Sequence, residues 1–467
     1  MPNRPLVIVH GWSDVSKSFE PLARLLGEKL DTTVSFIKLA DYLSMEDEVR
    51  FHDIAAAMDK AWRDNNLPRG KGTVDAIVHS TGGLVIRDWL NRHFSPGRAP
   101  IKHLVMLAPA NFGSPLAHKG RSFIGRVFKG FLVKKPEGAK FQTGTHILKG
   151  LELASPYSWK LAEKDRFGVG GTMYQKGNVL CTVLVGNTGY DGISSIANED
   201  GSDGTVRLST ANLECVKISA TFPANPDDPK VGHDVEWHAE PSSGSTAFGV
   251  MDGIDHGTIT LSDWRGKSLA KLEKTKRDGG LFAHIVEALK VSDAGFAAWR
   301  RRLAEQNDEL LPDKPKRDAA KHGFQNTVVH VHDQYGVGVE DFLLEFYENE
   351  NEEDARNVVA QLFHKEAIKT VHTYSDDGSY RSVYVDCTRL KHTIDKVGEF
   401  LSASLTAYPE IGDGDPVGFT TLGDDGIGGI RIAKEDIDKF FVPHRTALVT
   451  LQLTRQQLDE TFRFRDA

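Results

Sequence analysis

A chain of 467 residues is longer than one hydrophobic core usually serves, so two domains are expected. Its net charge of -8 and pI near 6.1 argue against general affinity for nucleic acid or an anionic membrane, while leaving room for local basic patches. The three cysteines, Cys181, Cys215 and Cys387, each sit in an apolar or β-branched stretch, which argues against a disulfide framework and fits a reducing compartment.

The N-terminus runs directly into an apolar stretch at 6–9, with no charged leader and no small-residue cleavage site, so no signal peptide is expected. Nor does any stretch reach the ~20 apolar residues of a spanning helix. The expectation is a cytoplasmic protein, soluble or at most peripheral, with export by a signal-independent route left open. From residue 5 to about 250, short β-branched runs alternate with longer helical ones, the pattern of a parallel sheet flanked by helices. Strands are expected at 6–9, 74–78, 103–107, 180–185 and 246–250, with helices at 19–30 and 51–62 between the first two. The interval 113–178 is too long for a passive connection and reads as a lid or cap inserted into a first domain spanning 1–310. A helical region at 281–310 then leads to the polar stretch 311–323, an interdomain linker. Beyond it, alternating patterns at 327–332, 342–347, 382–386 and 448–453 predict a mainly-β, sandwich-like domain over 324–467. A helix at 354–365 interrupts it, and no repeat of fixed period is present.

Chemistry enters at residues 74–90, which read as a strand, a sharp turn at Ser80-Thr81-Gly82-Gly83, and an amphipathic helix. Such a turn is the context of a nucleophile elbow, which exposes a serine hydroxyl above the sheet. Gly82 and Gly83 supply the small residues that close approach requires, whereas Val78 stands where the G-x-S-x-G pattern has its first Gly. Serine is also a preferred helix N-cap, so the elbow alone leaves a structural role open. Three further segments flank it in order: Val9-His10-Gly11-Trp12, Leu107-Ala-Pro-Ala-Asn-Phe-Gly113-Ser-Pro115, and Leu151-Glu-Leu-Ala-Ser-Pro-Tyr157. Together the four resemble segments of lipase-like α/β-hydrolases, in the branch of bacterial lipases, triacylglycerol lipases and phospholipases. The resemblance covers about residues 5–260 and stops short of the C-terminal third. It implies an α/β-hydrolase fold with a mostly parallel sheet and a cap, Ser80 as nucleophile, and an oxyanion hole made by the backbone N–H groups of Trp12 and Thr81.

A serine hydroxyl is a weak nucleophile at neutral pH and needs an imidazole base held in the right tautomer by a carboxylate. The chain order in this fold is Ser, acid, His. Asp203-Gly204-Thr205-Val206 resembles the Asp-Gly-x-Val segment that bears the lipase acid, which points to Asp203. Asp200 and, less well placed, Asp191 compete with it, and the whole run also reads as an ordinary acidic turn. Among 18 histidines, His256 follows the last expected strand in a loop resembling the lipase Asp-His-x-x-Ile segment, and it is the expected base. His79 reads as a packing residue, with His233 and His238 as fallback bases.

Residues 119–135 alternate basic and large apolar side chains and contain no acid. That pattern fits a helix covering an acyl pocket, with Phe123, Phe128 and Phe131 toward substrate. It fits equally a segment lying in a lipid interface as a peripheral membrane contact. Both readings favour a lipid acyl chain over a short polar ester. The acidic loops 348–354, 376–377 and 413–415 match no established calcium spacing, so neither metal nor cofactor is expected. The expected activity is hydrolysis of carboxylic esters of lipids through an acyl-serine, as in a lipase or phospholipase. An acyltransferase or lipid-glycan deacylase with the same three residues, and a non-catalytic binding protein on the same fold, are the alternatives. Nucleic acid is not an expected partner, and the sequence leaves the oligomeric state open.

Overall fold

The computed structural model describes residues 4–9, 18–37, 47–117, 144–168, 172–191, 195, 198–222, 237–347, 363–393, 400–411, 417–419 and 430–457. Trp12, Phe123, Phe128, Phe131, His233 and the acidic loops 348–354 and 413–415 lie outside the described residues. The chain forms two compact units that interleave in sequence. The first comprises 1–214, 242–312 and 318–321, and the second 215–241, 313–317 and 322–467.

The first unit is built on strands β1 (Leu6–Val9), β2 (Val34–Ile37), β3 (Val74–His79), β4 (Ile101–Leu107), β5 (Leu180–Gly186) and β8 (Ala247–Met251). They lie in the order β2-β1-β3-β4-β5-β8, every neighbouring pair parallel. Every residue of β1, β5 and β8 is buried, as in a parallel sheet covered on both faces, which explains their near-continuous apolar character in the sequence. β2 goes beyond the sequence reading, because only Ile37 of its four residues is fully buried.

Helix α1 (Glu20–Leu30) follows β1 and buries Leu22, Leu25 and Leu26; it stops where Asp31 takes a left-handed φ of 49°. Helix α2 (Phe51–Asp64) presents Ile54, Met58, Ala61 and Trp62 on one face. It packs on α3 (Gly82–His93) with the Trp62 and Trp89 rings 4.7 Å apart. The described part of the interval 113–178 contains α4 (Thr145–Leu151) and α5 (Pro156–Asp165), the latter started by Pro156 and capped by the Ser155 hydroxyl. Farther on, α6 (Arg277–Lys290) lies against β4, and α7 (Phe296–Leu310) against β8.

The second unit holds a six-stranded mixed sheet and a three-stranded antiparallel one. Its strands are β6 (Cys215–Thr221), β7 (Trp237–Pro241), β9 (Phe324–Asp333), β10 (Phe342–Tyr347), β11 (Ile368–Thr373), β12 (Tyr380–Asp386), β13 (Phe400–Ala407), β14 (Val417–Gly418), β15 (Ile430–Ala433), β16 (Thr446–Leu453) and β17 (Gln456–Gln457). The large sheet runs β11-β12-β9-β16-β6-β7, the small one β10-β13-β15, and β14 pairs with β17. Val329, Val331, Val449 and Leu451 of the first share one apolar core with Phe342, Phe346, Leu401 and Leu405 of the second, a sandwich-like arrangement. Residues 363–367, at the end of the helix expected at 354–365, form a π-type helical turn, and the residues before them lie outside the described set.

Residues 215–241 depart from the linear division at 311–323. β6 lies between β5 and β8 in the chain yet pairs in parallel with β16, from Cys215 opposite Thr446 to Thr221 opposite Gln452. β7 then pairs with β6 as an antiparallel hairpin. Local pattern cannot reveal a partner strand so far downstream.

Among the described residues no helix is long and apolar enough to cross a membrane, and no group of three or more His, Cys, Asp or Glu side chains could hold a metal ion. The cysteines are buried thiols outside any disulfide. Burial pushes the Cys181 thiol up to about 12 and raises that of Cys387 as well.

Candidate active site

β3 ends at His79, the chain turns at Ser80 with φ 53°, and α3 begins at Gly82. A left-handed backbone costs a non-glycine residue roughly 1–2 kcal/mol, so surrounding bonds must hold it. Ser80 N donates to Leu107 O of β4 at 3.1 Å, and Ser80 O accepts from Gly83 N at 3.0 Å and Ala110 N at 3.2 Å. A Cβ on Gly83 would stand 2.6 Å from Pro109 Cβ, so the loop after β4 reaches the start of α3 only because that position is glycine. Val78 is wholly buried in β3, opposite Val9 on one side and Met106 on the other. The positive φ falls on Ser80 itself, and the strand accommodates valine.

The loop after β4 is also tied to helix α5 and to the turn before it. Arg87 of α3 makes a bidentate pair with Asp165 of α5 at 2.7 and 2.9 Å, both side chains fully buried, and donates to Asn111 O at 2.8 Å. Asn111 in turn donates to Ala211 O at 2.7 Å. At Gly113 (φ 92°) a Cβ would meet Glu152 O at 2.8 Å and Leu151 O at 2.9 Å, while Ser114 N donates to Leu151 O at 2.8 Å. The 107–115 and 151–157 segments, separate in sequence, are thereby joined.

Asp203 is fully buried in the loop between β5 and β6. Its Oδ1 accepts from Thr205 N at 3.0 Å and Val206 N at 2.7 Å, and its Oδ2 lies 2.8 Å from His256 Nδ1. A carboxylate only accepts, so Nδ1 carries the proton and Nε2 presents its lone pair. That Nε2 is 3.1 Å from Ser80 Oγ. The His256 backbone N–H donates to Asp203 O at 3.0 Å, which ties the two loops together. Around the acid, Tyr190 Oη and Thr205 Oγ1 share a hydrogen bond of 2.8 Å, and Arg207 pairs with Glu199 through two bonds of 2.8 and 2.7 Å. Burial raises the Tyr190 phenol above its ordinary value, which keeps it a neutral hydroxyl.

The competing residues are placed elsewhere. His256 Nδ1 meets Asp203 and not Asp200, and Asp191 is exposed. Asp255 Oδ1 accepts from Gly257 N and Thr258 N, closing the turn after His256. His238 is exposed on β7 of the second unit. Thr81 is buried beside Ser80, and among the described residues its backbone N–H makes no hydrogen bond. His79 does more than the packing expected of it, since its Nε2 lies 3.2 Å from His256 O. Sequence carries no signal for that bond beyond the histidine being next to Ser80.

No protein-family model matches the chain, and no curated protein matches it. Among solved structures, phospholipase PlaB from Legionella pneumophila matches with a TM-score of 0.79 at 23% identity, covering 100% of this chain and 96% of that one. PlaB in complex with thio-NAD matches at 0.78 and 22% identity, covering 99% and 96%. The mature lipase BlEst2 from Bacillus licheniformis is matched over 56% of this chain and 89% of its own, at 15% identity and a TM-score of 0.33. With the parallel sheet already described, the two PlaB likenesses show that this chain shares the α/β-hydrolase fold of those structures, followed by a β-rich C-terminal region.

Proposed function

We propose that this chain is a serine hydrolase that cleaves carboxylic esters of lipids through an acyl-serine at Ser80. The observation that carries the reading is the chain of hydrogen bonds from Asp203 through His256 to Ser80, 2.8 and 3.1 Å long, ending on a serine held in a left-handed turn. In this reading Ser80 Oγ attacks the ester carbonyl carbon while His256 Nε2 takes its proton. The imidazolium, stabilised by Asp203, then hands that proton to the departing alcohol as the carbonyl carbon–oxygen bond breaks. Water repeats the sequence on the acyl-serine, releasing the fatty acid and restoring Ser80. The Thr81 N–H, with that of Trp12, is assigned to the developing oxyanion.

Lipid as the substrate class is supported by the composition of 119–135, where Phe123, Phe128 and Phe131 alternate with basic residues. It is supported also by the phospholipase activity named for the PlaB structures that share the fold. The test is fluorophosphonate labelling of the full chain beside Ser80→Ala, followed by a panel of phospholipid and triacylglycerol substrates. Stoichiometric labelling lost in the variant, together with lipid turnover, is expected; a variant that still labels would move the nucleophile. Running the panel on a monomeric short ester and on anionic vesicles tests the cap. Faster turnover on vesicles is expected, and equal rates would remove an interfacial role from 119–135.

A further inference from the structure

We propose that His79 is a positioning residue that holds the His256 imidazole in line with Ser80; the proposal rests on the reading of Ser80 and His256 as the reacting pair. His79 is the last residue of β3, buried at 6% exposure, and its Nε2 lies 3.2 Å from the backbone carbonyl of His256. A carbonyl can only accept, so His79 Nε2 carries the proton and donates it. The His79 and His256 rings lie 4.7 Å apart at 42°, and the Phe19 ring backs His79 from 5.5 Å at 63°. His79 thus makes ring contacts with both Phe19, just before α1, and the base.

His256 sits in a loop after β8, where no strand ladder fixes its peptide planes. Its own N–H is held by Asp203 O and the following N–H by the Asp255 carboxylate, and its carbonyl lies 3.2 Å from His79 Nε2. The side chain meets the same need later in the reaction. Acylation of Ser80 removes the hydroxyl proton from the 3.1 Å contact with Nε2, while the Asp203 carboxylate still holds Nδ1 at 2.8 Å. The His79 ring, 4.7 Å from the imidazole, resists its rotation while water is activated. A packing residue would need only the volume of the ring, whereas this role needs the N–H donor too.

The experiment compares His79→Phe, which keeps a ring and loses the donor, with His79→Gln, which places an amide N–H at a similar reach. Steady-state kinetics on a short soluble ester and pre-steady-state burst traces are recorded beside thermal unfolding. For His79→Phe we expect kcat to fall about fivefold to tenfold with KM unchanged and deacylation slowed most; His79→Gln should recover to within about threefold of wild type. Wild-type kcat in His79→Phe, or equal loss in both variants, would overturn the proposal. Should His79→Phe unfold, His79→Met supplies bulk without a donor and the same comparison stands. Failure of the wild type to label with fluorophosphonate would strike the assignment of Ser80 instead, so the two failures are distinct.

Discussion

Asp203 divides its carboxylate between two tasks. Oδ1 takes two backbone N–H groups that shape the loop, and Oδ2 sets the tautomer of His256. Asp203→Asn can keep the first task with its amide oxygen, but its NH2 group would face His256 Nδ1 and drive the proton onto Nε2. The base would then point a proton, not a lone pair, at Ser80. On the proposed function we expect kcat to drop by about 10⁴, the scale seen for this change in Ser-His-Asp sites, with little loss of stability. Asp200→Asn, in the same loop but not the partner of His256, should change kcat less than about twofold. Kinetics of both variants on a soluble ester decide the point, and the reverse ranking would transfer the acid to Asp200. That Ser80, Asp203 and His256 meet was legible because each sits in a short motif, and their order in the chain restricts the pairing. The bond from His79 was not, because its acceptor is a backbone carbonyl 177 residues away, and a carbonyl leaves no mark in the sequence.

At the scale of elements, β8 raises the question of what covers its outer edge, since its one strand partner among the described residues is β5. The answer is a side chain. Asn307 of α7 donates to Phe248 O at 2.9 Å and accepts from Val250 N at 2.8 Å, a two-bond clasp in a buried setting. Asn307→Leu would strip partners from one buried N–H and one buried C=O, each worth roughly 1–3 kcal/mol when left unmade. We therefore expect about 2–6 kcal/mol of destabilisation, read as a lower denaturant midpoint; a loss under about 1 kcal/mol would mean that the edge finds other partners. The strand itself was legible as an apolar run at 246–250. The clasp was not, because a polar residue in an otherwise amphipathic helix looks like solvent-facing surface until the edge it serves is known. β2 escaped for the opposite reason, with too few buried residues to set a pattern.

At the scale of the whole molecule, composition marks the polar stretch at 311–323, and the strand-rich texture beyond it is plain in the sequence. The hairpin of β6 and β7 is the exception, and it yields a prediction about what can fold alone. Val216, Ile218 and Ala220 of β6 belong to the apolar core of the second unit, and β16 has β6 as one of its two neighbours. A chain ending at 312 would keep β6 but remove β16. A fragment 322–467 would keep β16 with an open edge and lose the β6 side chains from its core. Burying Val216 and Ile218 contributes roughly 1.5–3 kcal/mol each, a large share of the ~5–15 kcal/mol that stabilises a typical domain. Exposed edges also invite pairing between chains. The fragment 322–467 is therefore expected to lack a cooperative thermal transition by circular dichroism and to aggregate. Joining residues 215–241 to it through a flexible linker long enough to preserve the parallel register should restore the transition, because that register runs through seven paired residues of β6 and β16. A sharp, reversible transition of 322–467 alone would show that β9, β12 and β16 suffice without the inserted hairpin.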